Sequence, residues 1–324
     1  KSGRLPGDFF RELGRAGRLG LTIPEDHGGA GAGYLAAAIA MEELCRASAA
    51  ATLSYGAHAY LCCTNLFTHA GPDLRRKYVP GLVSGEKIGA FALTEPGAGS
   101  DAASMTTRAI RGAGGWLLNG TKLFITNGSI ADVFLVFART QRRRGTGALS
   151  AFVVERGFPG FTVGRDIPKL GTCGSPLSEL VFKDCVVPED NLVGVEGRGL
   201  AYMLGGLDME RAVFSGMPVG IAQAALDYAL AYAVKRRQFN APISSFQLVQ
   251  EMLAQMATEL EAARLLTYQA ASRLDRGQPV SKHASFAKLF GAQMCLRATQ
   301  QAVQIVGGTG FTRECPVERY YRDA

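Results

Sequence analysis

Hydrophobic positions change their spacing twice along this chain. In the first part, FFRELGRAGRLG (residues 9–20), YLAAAIAMEELCRASA (34–49) and the stretch from Tyr55 to Ala70 repeat apolar residues at helical spacing. The turn-rich PEDHGGAGAG separates the first two. From about residue 87 to 190 the apolar runs become short, rich in branched and aromatic residues, and bounded by Gly, Asn, Asp or Pro: IGAFALT, WLLNGTKLFIT, DVFLVFART, SAFVVER and SELVFKD. GAGG at 112–115 and Asn119–Gly120 are turn signals. No helix-sized pattern alternates with these strands, which predicts a small antiparallel barrel or sandwich rather than a parallel sheet. From about 195 the helical spacing returns in three long patterns, around 197–236, 245–277 and 281–306, as in an antiparallel bundle. The pattern predicts an α+β multidomain chain: an N-terminal helical domain (1–86), a central antiparallel β-barrel (87–194) and a C-terminal helical bundle (195–324).

Three stretches break the pattern. In LDMERAVFSG (207–216) a carboxylate stands where a leucine would pack, because Met203, Leu207, Glu210 and Phe214 form one helical stripe. Such a group is either an ion-paired charge at a surface or interface, or a catalytic base held in a dry pocket. TEPGAGSD (94–101) follows a strand. Its GAGSDA matches a loose dinucleotide fingerprint, but the following MTTRAIRGAGGWLL reads as strand and turn, whereas the fingerprint requires a helix. The glycines still permit close backbone approach to a ligand, or simply a tight turn. In KLFITNGS (122–129), Phe124 is either a core aromatic of a strand, which spacing alone favours, or a flat surface for a ring.

Composition adds less. Of 324 residues 47% are hydrophobic and 19% charged, as in ordinary globular proteins. VFLVFA at 133–138 is far short of a membrane span. The net charge of +7 is dispersed, apart from Arg142–Arg144 in QRRRGTG, which reads as an exposed loop. The dispersal argues against nucleic acid as a partner, and a phosphate-rich small molecule explains the mild excess. Seven cysteines without a CxxC, and four scattered histidines, give no metal set and suggest reduced thiols in an intracellular protein. The chain opens on Lys1 without a signal-peptide apolar region, so it is expected to begin inside a longer product.

FALTEPGAGSD, LFITNG, LDMER, KRRQF…FQLVQ, QIVGGTGF and the final VERYYRDA, in this order and at these separations, resemble the flavin-dependent acyl-CoA dehydrogenases over essentially the whole chain. The resemblance implies that family's fold, with a four-helix-bundle C-terminal domain, and FAD as cofactor. By this resemblance Phe91 to Ser100, including Leu93, Thr94 and Gly99, would run along the flavin and its pyrophosphate, with the Thr94 region at the pyrimidine edge. Ser100 would also lie near the thioester or pantetheine arm. Phe124, Ile125 and Thr126 would cover the other side of the flavin. Arg236, Phe239, Gln247 and the run Gln304, Ile305, Val306, Gly307 and Gly308 would hold the FAD phosphates and adenosine of a neighbouring subunit. That arrangement implies a homotetramer built as a dimer of dimers. From the residues alone, a solvated helix charge is the favoured reading of Arg236.

The implied reaction converts an acyl-CoA thioester to its 2,3-enoyl form and passes electrons to an electron-transfer flavoprotein. It needs a base beside Cα, and an apolar pocket raises a glutamate from its reference pKa of about 4.3. In the family the base lies either shortly after the RDA motif or, in isovaleryl and long-chain types, on the LDMER helix. Glu210 matches the second location, which makes the isovaleryl-type subgroup the best fit and a short branched acyl chain the expected substrate. Asp208 and Arg211 are expected to line the acyl-CoA pocket, with local pairing as the alternative. Cys173 stands where the family usually has Arg, which bears on local packing. The family continues beyond RDA with a segment that closes over the flavin, so the natural product is expected to be longer. The cytoplasm is expected in a bacterium and the mitochondrial matrix in a eukaryote, the former preferred. An acyl-CoA oxidase or flavin monooxygenase on the same fold, or a silent assembly protein, are the rival readings.

Overall fold

The computed structural model describes residues 4–141 and 147–324; the Arg142–Arg144 run therefore lies outside the described residues. Two compact units emerge: one from residues up to 33, 53–168 and 173–207, the other from 34–52, 169–172 and 208–324.

The first unit joins helices to a sheet. Helix α1 (Phe9–Arg15) is followed by a glycine-rich connection; α2 (Gly33–Ala47) and the start of α3 (Ala49–Gly56) belong to the second unit, and the chain re-enters the first at Leu53. A π-helix over Ala57–Thr64 runs into α4 (Asn65–His69), and α5 (Pro72–Val83) follows. The Thr64 hydroxyl donates to the Ala59 carbonyl five residues back, at 2.8 Å, within the wide turn. His58 is fully buried in that turn. Its Nε2–H donates to Leu82 O at 2.9 Å, and its Nδ1 accepts from the Gly89 amide at 2.8 Å, which fixes one neutral tautomer. Burial pushes the ring down to about 4, against the pull of the Leu82 carbonyl.

Eight strands follow: β1 (Gly89–Ala92), β2 (Arg108–Gly112), β3 (Gly115–Thr126), β4 (Val133–Arg139), β5 (Leu149–Glu155), β6 (Phe161–Asp166), β7 (Leu177–Val187) and β8 (Leu192–Val193). They pair in the order β6-β7-β3-β2-β4-β5-β8, with β1 also on β4. The expected sheet was wholly antiparallel; β1 and β2 in fact pair with β4 in parallel. The connections that permit this are the loop after β1 and the β2–β3 hairpin, rather than the crossover helix that spacing patterns reveal. VFLVFA forms β4, buried on both faces, hence its unbroken apolar run. Its alternate residues serve two cores. Leu135 and Phe137 join Cys62, Leu66, Tyr78 and Leu82 of the helical side, while Phe134 and Val136 join Trp116, Leu118, Phe152 and Leu180 of the barrel-like interior.

The second unit is a bundle. Helix α6 (Gly199–Phe214) ends in it, followed after a one-residue break by α7 (Gly216–Lys235), then α8 (Gln247–Asp275), α9 (Ser281–Val306) and α10 (Val317–Asp323). The span Gly199–Lys235 is, among the described residues, the one helical run long and apolar enough to cross a membrane. Val219, Ala222, Ala225 and Ala229 of α7 instead pack with Met256 and Leu260 of α8 and with Met294 and Ala298 of α9. Between α7 and α8 stand the two-residue strands β9 (Arg237–Gln238) and β10 (Ala241–Pro242). The segment Tyr34–Thr52 crosses α7 closely: a Cβ at Gly220 would meet the Glu42 carbonyl and lie 2.8 Å from the Cys45 Cβ. Arg264 and Tyr268 of α8 hold the buried Glu42 carboxylate at 2.9 Å each.

Gly220→Ala should therefore force α7 away from α2. The expected loss is about 1–3 kcal/mol, read as a lowered midpoint in urea; an unchanged midpoint would show that the crossing gives way freely.

Candidate active site

In the first unit, the segment after β1 and the end of β3 form one construction. The Leu123 amide donates to Thr94 O at 2.8 Å. Beneath them Lys122 is fully buried, its ammonium donating to Leu93 O and to Glu95 Oε1, both at 2.9 Å. Glu95 also accepts from the Thr106 amide at 2.6 Å, the Thr106 hydroxyl at 2.9 Å and the Thr107 amide at 3.0 Å. Burial alone would raise the Glu95 carboxyl, but Lys122 and these donors outweigh it and pull it down to about 2. Burial likewise pulls Lys122 down, to about 8, against the opposing pull of Glu95. Both groups are thus charged at neutral pH. Sequence reasoning missed this pair. Its signal was present: two charges inside strand-like apolar stretches, FALTEP and TKLFIT, of the same kind that drew attention to Glu210.

The pair fixes the shape of the segment on which Phe91, Leu93, Thr94, Gly99 and Ser100 lie. Leu93 is buried, Phe91 and Thr94 are half-buried, and Gly99 and Ser100 are exposed. A Cβ at Gly97 or Gly99 would meet nothing within 4 Å, so the loop borders open space. No α-helix opens after GAGSDA; a single 3₁₀ turn, Ala102–Ser104, leads to β2, so the dinucleotide fingerprint has no structural basis. Phe124 departs from the core role that spacing favours. A bulge lies between Lys122 and Ile125, Phe124 adopts φ 59°, and its side chain is 53% exposed while Ile125 is buried. A bulky residue at positive φ is strained, and such strain gathers at binding sites. Thr126 lies beside it, half-buried.

In the second unit, α7 and α9 run one way and α8 the other. The last residues of α7, the first of α8 and the last of α9 therefore share one end of the bundle. Arg236 follows α7, Gln247 opens α8, and Gln304, Ile305 and Val306 close α9 before Gly307 and Gly308. Ile305 and Val306 are buried; Arg236, Gln247, Gln304 and both glycines are exposed. Gly307 has φ 70°, and a Cβ on either glycine would meet nothing within 4 Å. Gln304 borders a cavity of about 780 Å³ together with Met252 of α8 and Phe311. Phe239 and Asn240, at φ 49° and 62°, form the tip of the β9–β10 hairpin, where Phe239 is 91% exposed.

Glu210 also belongs to the second unit. Burial pushes its carboxyl up to about 7, against the nearby charges of Arg211 and Lys288. Arg211 and Asp208 pair with each other at 2.9 Å, both partly exposed. The Leu170–Thr172 stretch before Cys173 is held by α10: Arg322 Nη1 donates to Leu170 O at 3.2 Å and the Thr172 amide to Asp323 at 2.6 Å.

Sequence comparison places this architecture. The acyl-CoA dehydrogenase N-terminal, middle and C-terminal domain families match residues 1–86, 90–185 and 197–324. The mitochondrial isovaleryl-CoA dehydrogenase of Oryza sativa subsp. japonica is 42% identical over 325 residues, covering 100% of this chain and 80% of the relative. Among solved structures, butyryl-CoA dehydrogenase from Megasphaera elsdenii superposes with a TM-score of 0.97 at 38% identity, covering 99% of this chain and 85% of the other. A chain solved in work on the electron transferring flavoprotein of Acidaminococcus fermentans gives 0.97 at 39%, covering 99% and 85%. The chain belongs to the acyl-CoA dehydrogenase family, whose members are FAD-dependent oxidoreductases.

The residues present fit a flavin nucleotide. Open backbone at Gly97 and Gly99 and an outward aromatic at Phe124 suit a flat ring, and Arg236 has no ion-pair partner among the described residues. Two outcomes follow from the electrostatics. Lys122→Met leaves Glu95 buried without its cation and should cost about 3–5 kcal/mol, seen as a large fall in the unfolding midpoint; a loss under 1 kcal/mol would show that Thr106 and Thr107 suffice. For Glu210, the folded carboxyl titrates near 7 and the unfolded one near 4.3, so the folded state binds the extra proton between those values. Stability from Glu210 is therefore complete below about 4.3 and lost as pH rises through 7. Glu210→Gln should match the wild type at pH 4 and melt higher at pH 8; equal melting at both would contradict the raised carboxyl.

Proposed function

We propose that this chain dehydrogenates a short branched acyl-CoA between Cα and Cβ, with Glu210 as the base. The observation that carries the reading is a glutamate on an apolar helical stripe, its carboxyl raised by burial to about 7. A base of that strength is half ionised near neutrality, where an ordinary carboxylate is too weak to remove a proton from carbon. Glu210 takes the Cα proton. FAD, when bound, supplies the acceptor for the Cβ hydrogen and its electron pair, and the product is the 2,3-enoyl thioester. Electrons then pass to an electron-transfer flavoprotein.

The remaining roles are assigned on the same reading. Phe91, Leu93, Thr94, Gly99 and Ser100 hold the flavin and its pyrophosphate, with Ser100 also toward the thioester arm. Phe124, Ile125 and Thr126 cover the ring. Arg236, Phe239, Gln247 and Gln304 to Gly308 serve the phosphates and adenosine of a neighbouring subunit's cofactor in a dimer of dimers. Asp208 and Arg211, already paired, border the acyl-CoA pocket. The three domains span 1–86, 87–194 and 195–324. The branched acyl chain is supported by Glu210 on α6, where isovaleryl-type enzymes carry their base, and by the identity to the rice relative.

The test is anaerobic flavin bleaching by straight and branched acyl-CoA esters. Isovaleryl-CoA should reduce the wild-type flavin fastest, with kcat/KM rising with pH through about 7. Glu210→Gln should retain its yellow flavin and stay oxidised. Bleaching of this variant at the wild-type rate would remove Glu210 from the reaction.

A further inference from the structure

A second cavity lies in the first unit, where β2, β3 and β4 meet. It measures about 510 Å³, and its lining includes Ser104, Thr106, Arg108, Asn119 and Arg139. Arg108 and Arg139 stand directly opposite each other on the parallel strands β2 and β4. Like charges in register repel unless something between them is negative. No carboxylate among the described residues forms an ion pair with either. The two carboxylates bonded to lining residues are otherwise engaged: Glu95 with Lys122 and Thr106, and Asp184 Oδ1 with the Asn119 amide at 3.0 Å. Arg139 is held in place by carbonyls. Its Nε donates to Met105 O at 3.2 Å and its Nη2 to Ala103 O at 2.8 Å, while its Nη1 is buried with no partner among the described residues.

We infer that this cavity is a binding site for a phosphate monoester, held between Arg108 and Arg139. Arg139 is pre-set by its two carbonyl bonds, and exposed Arg108 closes on the ligand from the neighbouring strand. Arg108 offers a forked pair of donors to a tetrahedral oxyanion and Arg139 adds the second hydrogen of its Nη2, a geometry that a lone surface lysine lacks. The site bears on the proposed reaction by position. Ser104 stands four positions after Ser100, so the two lie within about 14 Å of each other. A phosphate carried at the far end of the thioester's handle is thus one source of the ligand, and free phosphate is the other; the first source rests on the acyl-CoA reading, the site itself does not.

The experiment titrates the FAD-loaded protein and its Arg108→Gln variant with adenosine 3′,5′-bisphosphate and with inorganic phosphate, by calorimetry at low salt. Binding to the wild type, weakened about tenfold in the variant with an unchanged melting midpoint, is the expected result. Equal binding by both proteins, or no binding to the wild type, would overturn the site. A second arm compares KM for an acyl-CoA with that for the same acyl dephospho-CoA. A ratio that is large in the wild type and near one in Arg108→Gln identifies the thioester's own phosphate as the ligand. A ratio near one in both, with inorganic phosphate still bound by the wild type alone, identifies a free anion. Because the first arm needs no turnover, failure of the dehydrogenation reading would leave it intact.

Discussion

The pairing of Lys122 with Glu95 sets the geometry of everything proposed for the first unit. Two opposite charges buried away from the surface cannot be left half made, since either alone would carry the full cost of desolvation. The ammonium also ties the carbonyl of Leu93, and the carboxylate gathers the amides of Thr106 and Thr107. One interaction therefore joins the end of β1, the loop after it, the entry to β2 and the middle of β3. The loop is shaped from below, and its upper side is left open to a ligand. The same carboxylate takes the Thr106 hydroxyl at the rim of the arginine-lined cavity, so both proposed sites of this unit share one support.

The bundle solves a different problem with a simpler rule. Alternating helix direction brings residues far apart in sequence, such as Arg236, Gln247 and Gln304, to one end without any specific contact among them. Gly216 and Gly220 allow the α2 segment to cross α7 at close range, and the buried Glu42 carboxylate is neutralised there by Arg264. Electrostatics and packing thus divide the work: charge fixes loops in the sheet, shape fixes helices in the bundle.

Much of the architecture could be read from spacing, because period 3.6 and period 2 survive wherever one face of an element is buried. VFLVFA read as a strand, and its unbroken run is explained by burial on both faces. The stripe through Glu210 was legible for the same reason, as the polar exception in an apolar row. Other features left no periodic trace. β6 and β8 were missed because FTVGRD is exposed along most of its length and LV is only two residues long. Parallel pairing on β4 depends on chain path, which composition does not encode. Alternation alone favours the core for Phe124, and a single bulge with a positive φ turns it outward. The π-helix at Ala57–Thr64 differs from an α-helix by one residue per turn, too little for a sequence pattern to register.

His58 gives that hidden turn a chemical consequence. Its ring serves as donor to Leu82 and acceptor from Gly89 only while it carries a single proton. A second proton would turn Nδ1 into a donor facing another donor, and the seam between the α5 terminus and the first strand would be pushed apart from within. The hold is complete above about 6.5 and fades as the medium sours toward pH 4. Acid would then attack β1 at its root, well before the loop that follows it has any reason to yield.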